Sequence, residues 1–410
     1  MGEPAGLLAA PEAYQRLIAS HDLIFLDQRG AGFSTPDLGC PEVQAATITA
    51  LQANDAQDEL AELIAPAIGA CHERLVADAV NLEAFDSVEN AADINDTVTA
   101  LGYDRAILYG QSYGTELVQH VMRDFPGLVE SAVLDGSAPL SNPVWERDLA
   151  TAYEAGLDRV FAACTADPGC DGAYPDLAGV FEEQIGRLQE QPLSLAAKDF
   201  SGGMTEDAPD IEIELDGETA AGIVQSMIGE ASLRAFLPVA IYGLQDGDAS
   251  GLALATLGLT SPSPFAIGTH LATICADDPV TSADQLATSR YTGPNLFAQR
   301  QVAAWYLAGC AAFDVKPIEA DVDTNVASDV PVLFLNGAYD TATPASGSAE
   351  IARTLPNSVT VEFPEGGHIQ IGPGRDPCAA GIMAQFIDDP TAELDTSCVA
   401  AIPPTQFLGK

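Results

Sequence analysis

The chain has 410 residues, 47% of them hydrophobic, which is enough to bury a large core and an accessory domain. Its 60 acidic residues against 16 basic ones give a formal charge of −44, a field that repels nucleic acid and anionic membranes and removes both as partners. No apolar run approaches the roughly 18 residues of a membrane span, and no charged-then-apolar leader opens the chain. The acidic residues are spread along the chain, and Lys198, Lys316 and Lys410 are the only lysines. Such a surface suits high salt, where screening relieves self-repulsion, and it also attracts cationic amino termini.

In chain order, Asp22-Leu-Ile-Phe-Leu26 reads as an apolar strand, and Asp27-Gln-Arg-Gly-Ala-Gly-Phe-Ser34 as the loop that follows it. In that loop Gly30 and Gly32 permit tight turning, and Arg29 is expected to pair with a buried carboxylate. Ala106 to Tyr109 form a second apolar strand that runs into Gly110-x-Ser112-x-Gly114, and Glu116 to Phe125 carry helical periodicity before Pro126-Gly127 ends the run. A strand, a Gly-x-Ser-x-Gly turn and a helix make up the nucleophile elbow of an α/β-hydrolase. The sharp turn strains the serine backbone and calls for small neighbours, hence Gly110 and Gly114. It also lifts the Ser112 Oγ above the sheet edge, while the amide of Tyr113, at the positive end of the helix, points toward a developing oxyanion.

Val133-Leu-Asp-Gly136 ends a third strand. Beyond it, helix-like stretches at Trp145 to Ala163, Leu177 to Gln189, Glu218 to Gly229 and Leu233 to Tyr242 accompany one alternating segment, Ile211 to Leu215. We read 141–325 as a helical cap over the catalytic face that shapes the pocket, set between core segments 1–140 and 326–410. Pro331-Val-Leu-Phe-Leu335 is a continuous apolar run that leads to Asp340, and Ser358 to Phe363 alternate as a last strand that leads through Pro364-Glu-Gly-Gly to His368. The order Ser112, Asp340, His368 is the one this fold requires. His368 would take the Ser112 proton and return it to the leaving group, and Asp340 would fix the tautomer of the imidazole and stabilise its charged form. Asp135 competes with Asp340 as the acid, but the Asp340 loop has the better spacing to His368. His21, His72, His120 and His270 read as a strand-entry residue, surface residues and a core or cap residue. No metal or organic cofactor is implied.

The motifs Asp-Gln-Arg-Gly-x-Gly-x-Ser at 27–34, Gly-Gln-Ser-Tyr-Gly-Thr at 110–115, the Asp340 loop and Gly-Gly-His at 366–368 together resemble the prolyl and tripeptidyl aminopeptidase family of α/β-hydrolases. The resemblance implies serine hydrolysis of a peptide bond next to a free amino terminus, with esterases among close relatives. An oxyanion loop rich in glycine normally precedes the first motif in that family. Its counterpart here is Met1-Gly-Glu-Pro-Ala-Gly6, which makes Gly2 the second oxyanion donor and leads us to expect a sheet shortened at its amino end. The eight cysteines, paired as sequence neighbours (Cys40 with Cys71, Cys164 with Cys170, Cys275 with Cys310, Cys378 with Cys398), match the secreted tripeptidyl branch. Sequence alone permits many other connectivities, and also eight free thiols. The segment from Asp376 to Lys410 resembles that branch's cysteine-containing tail, with a helix at Ile382 to Phe386. Cap carboxylates hold the substrate ammonium in that family, but no motif here assigns them, and Glu230, Asp277 and Asp278 read as surface groups or helix caps. Three functions stay open: an exo-acting aminopeptidase, a carboxylesterase that uses the same triad on small esters, and an inactive binding relative.

Overall fold

The computed structural model describes residues 10–53, 56–141, 149–261, 266–282, 285 and 305–409. Six strands are present among them: β1 (Ala106–Gln111), β2 (Val129–Asp135), β3 (Leu193–Lys198), β4 (Asp210–Leu215), β5 (Val332–Gly337) and β6 (Ser358–Phe363). The chain divides into two compact units. The first comprises Met1–Thr35, Ala84–Trp145 and Ile318–Pro404, and the second comprises Pro36–Glu83, Glu146–Pro317 and Thr405–Lys410.

The first unit is built on a four-stranded, all-parallel sheet in the order β1-β2-β5-β6. Its side chains alternate between two cores. Val133, Leu333 and Leu335 face one side with the helices Pro11–Ile18 and Cys378–Asp388. Ala132, Leu134, Val332 and Phe334 face the other with the helices Ser87–Ala100 and Tyr113–Asp124. With helices covering both faces, β2 and β5 are buried at nearly every position and carry continuous apolar runs at 132–134 and 332–335 in place of alternation. The helix Ser87–Ala100 starts where Asp86 accepts the Glu89 N–H at 2.7 Å, a cap of the Asp-x-x-Glu kind. The Cys378–Cys398 disulfide closes a 20-residue separation and ties the end of the chain to its last helix, a closure on the order of 3 kcal/mol.

One expected element of this unit is corrected. Asp22 to Leu26 run extended but form no strand pairing, and Ile24, Phe25 and Leu26 are 47%, 49% and 43% exposed. A run of strand-forming residues becomes a strand only where a neighbour supplies the ladder, and no described residue does so here.

The second unit is mainly helical, with β3 and β4 as an antiparallel pair that register Leu193 with Leu215 and Lys198 with Asp210. Of its expected helices, Leu177–Glu190 and Gly217–Ile228 form almost as read, and the stretch from Trp145 begins, among described residues, at Leu149 and ends at Ala166. The stretch Leu233 to Tyr242 is broken into Ala231–Arg234 and Leu237–Gln245, and Pro238 takes the second position of the second piece, in the first turn where a helix N–H has no partner within the helix. This unit also takes in Pro36–Glu83, earlier in the chain than the expected cap. The helices Pro41–Leu51 and Ala56–Ala77 are joined by the Cys40–Cys71 disulfide and by Arg74 on Glu42. Gly268 N–H donates to the Leu38 carbonyl at 2.8 Å, and His72 packs edge-on to Phe313. Those contacts are distant in sequence, so local periodicity carries no trace of them.

All four cysteine pairs are those of sequence neighbours, the disulfides Cys164–Cys170 and Cys275–Cys310 included. Disulfides at this density belong to an oxidising compartment outside the cytoplasm. Among the described residues, no helix is long and apolar enough to cross a membrane.

Candidate active site

The three residues singled out as a triad lie beyond the carboxyl ends of three strands of the one parallel sheet, with β2 between the first and the second of them. Ser112 follows β1, Asp340 lies in the loop after β5, and His368 lies in the loop after β6. Ser112 sits at φ 52°, ψ −124°, a conformation an L-residue adopts only under constraint. Its N–H donates to the Asp135 carbonyl at 3.0 Å, and its own carbonyl accepts the Thr115 N–H and hydroxyl at 2.8 and 2.6 Å. These bonds fix the turn from both sides. A Cβ on Gly110 would stand 2.3 Å from the Gly114 carbonyl oxygen, so the close approach inside the elbow requires glycine at 110. Gly114 differs from expectation: a Cβ there meets nothing within 4 Å. It is the backbone of 114, not its lack of a side chain, that Gly110 must accommodate.

The Ser112 Oγ lies 2.9 Å from His368 Nε2, and His368 Nδ1 lies 3.1 and 3.0 Å from the two carboxylate oxygens of Asp340. The Asp340 side chain is fully buried. Its charge is met by donors: the N–H groups of Ala342 and Thr343 reach Oδ1 at 2.8 and 2.7 Å, and the Thr343 hydroxyl reaches Oδ2 at 2.8 Å. These donors take the place of the water that burial removes from the carboxylate. The Gly366-Gly367 backbone crosses directly over the end of β5, where a Cβ on Gly337 would stand 2.1 Å from the Gly367 carbonyl oxygen. That crossing brings His368 back over the nucleophile.

Burial pushes the His368 imidazole down, but the hydrogen bond and charge of Asp340, aided by the charge of Asp135, outweigh it and leave His368 above its ordinary value of 6.5. In the role of general base expected from the sequence, His368 must be neutral to accept a proton, so lowering the pH through its titration would remove activity. The acidic limb of kcat/KM against pH is expected to have its midpoint above 6.5, the ordinary value for histidine. A midpoint at or below that value would contradict the arrangement.

Tyr113 opens the elbow helix at its positive end, and its hydroxyl meets Ser87 Oγ at 2.7 Å and accepts from Asn90 Nδ2 at 3.2 Å. Gly2, expected as the second oxyanion donor, lies with the rest of Met1–Gly6 outside the described residues. Arg29 pairs with carboxylates: it grips Asp93 with two 2.7 Å bonds and reaches the Ala84 carbonyl and Glu89. Its partner is corrected, for the Asp93 side chain is 38% exposed and not buried. His120 is also corrected: it is buried inside the elbow helix, where Arg123 donates to its Nδ1 at 2.6 Å, and burial first, then the charge of Arg123, pushes it down to about 3. His21 meets Ser20, and His270 meets the Tyr306 hydroxyl. Glu230 and Asp278 stand at helix ends, N-cap and C-cap respectively, and Asp277 closes the helix that Asp278 caps.

A family model described as alpha/beta hydrolase fold matches residues 6–220, more than half of the chain. The chain belongs to the α/β-hydrolase family. A second model, described as TAP-like protein, matches residues 294–398 of this hydrolase and so spans both Asp340 and His368. Curated relatives include the serine protease Hip1 of Mycobacterium tuberculosis and of Mycobacterium bovis, each 24% identical over 382 residues, 87% of this chain and 71% of the relative. With these matches the chain is a serine hydrolase of tripeptidyl aminopeptidase-like type. Similar solved structures include the serine hydrolase CCSP0084 from Cycloclasticus zankles, 13% identical over 95% of this chain and 88% of that one with a TM-score of 0.33. An epoxide hydrolase from Bacillus megaterium is 12% identical over 75% and 78%, also at 0.33. Scores at that level carry no argument about activity.

Thr343 was not legible as a site residue, although Asp340-Thr-Ala-Thr343 has the Asp-x-x-Thr spacing of a self-capping turn. Gln111, whose Nε2 donates to the Ile371 carbonyl at 2.7 Å, had no signal at all, because its partner is 260 residues away.

Proposed function

We propose that this chain is a secreted serine peptidase that removes short units from the free amino terminus of peptides through an acyl-enzyme. Ser112 is the nucleophile, His368 the general base and acid, and Asp340 the orienting acid. The observation that carries this reading is the unbroken line from the Asp340 carboxylate through His368 to the Ser112 Oγ, with contacts of 3.0 and 2.9 Å. Support for a peptide substrate comes from the TAP-like match across the acid and histidine loops and from the serine protease relatives. The formal charge of −44 favours the approach of a substrate that carries an ammonium group.

In this mechanism the Ser112 hydroxyl donates to neutral His368 Nε2 and attacks the scissile carbonyl as its proton moves to the imidazole. Asp340, held by Ala342 and Thr343, keeps the remaining proton on Nδ1 and stabilises the imidazolium. The Tyr113 N–H, at the helix end, donates to the carbonyl oxygen as it gains charge. His368 then protonates the departing amine, and water repeats the sequence to release the acid. The leaving amine of a peptide needs that proton far more than the alcohol of an ester does, so the well-seated imidazole matters most for amides.

The test is to assay aminoacyl and tripeptidyl arylamides, each with a free and an acetylated amino terminus, beside short acyl esters. Turnover of the free arylamides that falls at least tenfold on acetylation is expected. Equal turnover of acetylated and free forms would end the exopeptidase reading, and turnover of esters alone would make the chain a carboxylesterase.

A further inference from the structure

The mechanism uses Ser112, Asp340 and His368 and leaves a second buried carboxylate beneath them without a task. Asp135, the last residue of β2, is 0% exposed. Its Oδ1 accepts the Gln370 N–H at 2.7 Å, and its Oδ2 accepts the Ile371 N–H and the Tyr109 hydroxyl, both at 3.0 Å. All three of these donors lie within the first unit, two on the segment that follows His368 and one on β1. Between His368 and those two amides lies Ile369, at φ 69°. A β-branched residue is a rare occupant of the left-handed region and stays there only where its surroundings hold it. A left-handed residue followed by converging N–H groups makes a concavity that binds anions, and here the anion comes from the protein itself.

The neighbouring contacts point the same way. The Asp135 carbonyl accepts the Ser112 N–H, so one residue holds the nucleophile with its backbone and the histidine loop with its side chain. A Cβ on Gly136 would stand 3.3 Å from both Cε1 and Nδ1 of the His368 ring, so the next residue forms the floor on which the imidazole lies. Gln111, on β1, closes the network by donating to the Ile371 carbonyl.

We propose that Asp135 is a positioning residue: its carboxylate, seated on the Gln370 and Ile371 amides, holds Ile369 in the left-handed conformation and so fixes the His368 imidazole over Ser112. The proposal rests on the triad reading for its catalytic meaning but not for the clamp itself. It also gives a reason for a group that costs stability. Burial pushes Asp135 up to about 6, against the opposing pull of the Gln370 and Ile371 amides, the Tyr109 hydroxyl and the charge of His368. The native state thus holds that proton more tightly than the unfolded chain does. Ionising Asp135 subtracts stability as the pH rises through the interval up to about 6, and above it the whole cost is present. A carboxylate that weakens the fold at neutral pH is accounted for by the geometry it imposes.

The test compares the unmutated protein, Asp135→Asn, and Asp135→Asn with Ile369→Gly, reading the second-order rate of Ser112 labelling by a fluorophosphonate together with kcat and KM. Asparagine offers a single acceptor oxygen and turns an NH2 toward an N–H. Labelling and kcat are expected to fall at least tenfold with KM within about twofold. Adding Ile369→Gly, which reaches the left-handed region without help, should recover at least threefold. A folded Asp135→Asn that labels within twofold of the unmutated rate overturns the proposal, and so does a loss that Ile369→Gly fails to recover. Amide exchange on the unmutated protein decides the matter even if the variants do not fold. Gln370 and Ile371 should be protected to the level of the sheet, and fast exchange at both refutes the clamp. Because that measurement involves no catalysis, a protein whose Ser112 never labels would sink the triad reading while leaving the clamp to be judged separately.

Discussion

Ser112→Ala is expected to abolish fluorophosphonate labelling and to lower kcat by roughly 10⁶-fold on any substrate the chain turns over, the scale seen when a triad nucleophile is removed. The loss should be this complete because the rest of the line has no reaction of its own: His368 Nε2, 2.9 Å from the Oγ, would face a methyl group. For the same reason Ser112→Ala combined with His368→Ala should be no worse than either alone, since the two act as one unit. The variant should fold. The elbow is held by backbone bonds, Ser112 N–H to the Asp135 carbonyl and Thr115 to the Ser112 carbonyl, which alanine retains. Circular dichroism and the melting temperature check this, with a change of no more than a few degrees expected. Residual activity within tenfold of the unmutated protein would mean that another group attacks the substrate.

The elements that put Ser112 in place were readable because their signals are local. β2 and β5 lie inside the sheet and carry continuous apolar runs at 132–134 and 332–335, β1 carries one at 106–109 although it is mostly half-buried, and β6 alternates and has the bounds its periodicity predicts, Ser358–Phe363. The elbow is legible because its strain can be met only by a few residue types in a fixed order. Where a structural fact depends on partners far along the chain, the sequence is silent. Asp22 to Leu26 have strand composition but no ladder partner among the described residues, and composition cannot report a missing neighbour. The segment that holds Pro41–Leu51 and Ala56–Ala77 meets later parts of the second unit through Leu38 and His72, contacts of long range that leave no periodic mark. Arg29 could be read as a pairing residue from its loop, but which carboxylate it meets, and that Asp93 is partly exposed, follows from how the helix Ser87–Ala100 lies beside it. Asp135 shows both sides of this limit. Its place after a strand made it a fair rival to Asp340, and only the geometry separates a carboxylate whose donors are the backbone after His368 from one whose donor is the imidazole.

Asp340→Asn puts that separation to a direct test, and the expected result is a fall in kcat of about 10⁴-fold with the fold intact. The size follows from which atom faces the histidine. In the native site both backbone amides, Ala342 and Thr343, donate to Oδ1, so the asparagine oxygen must take that position and its NH2 must take the place of Oδ2. That NH2 would donate to His368 Nδ1, now 3.0 Å from Oδ2, and the Thr343 hydroxyl, which donates to Oδ2, would turn to accept from it. An imidazole that accepts at Nδ1 carries its proton on Nε2, where it faces the Ser112 Oγ with no capacity to receive a proton. The site would be whole in outline and in the wrong tautomer. Among the described residues Asp135 is the second carboxylate whose charge acts on His368, and it is committed to the Gln370 and Ile371 amides and the Tyr109 hydroxyl. To reach Nδ1 it would have to leave two buried N–H groups unpaired, a cost of about 1 to 3 kcal/mol for each. Activity that falls less than about a hundredfold would show that Asp135 makes that move, and that orienting the imidazole is a task the two carboxylates share.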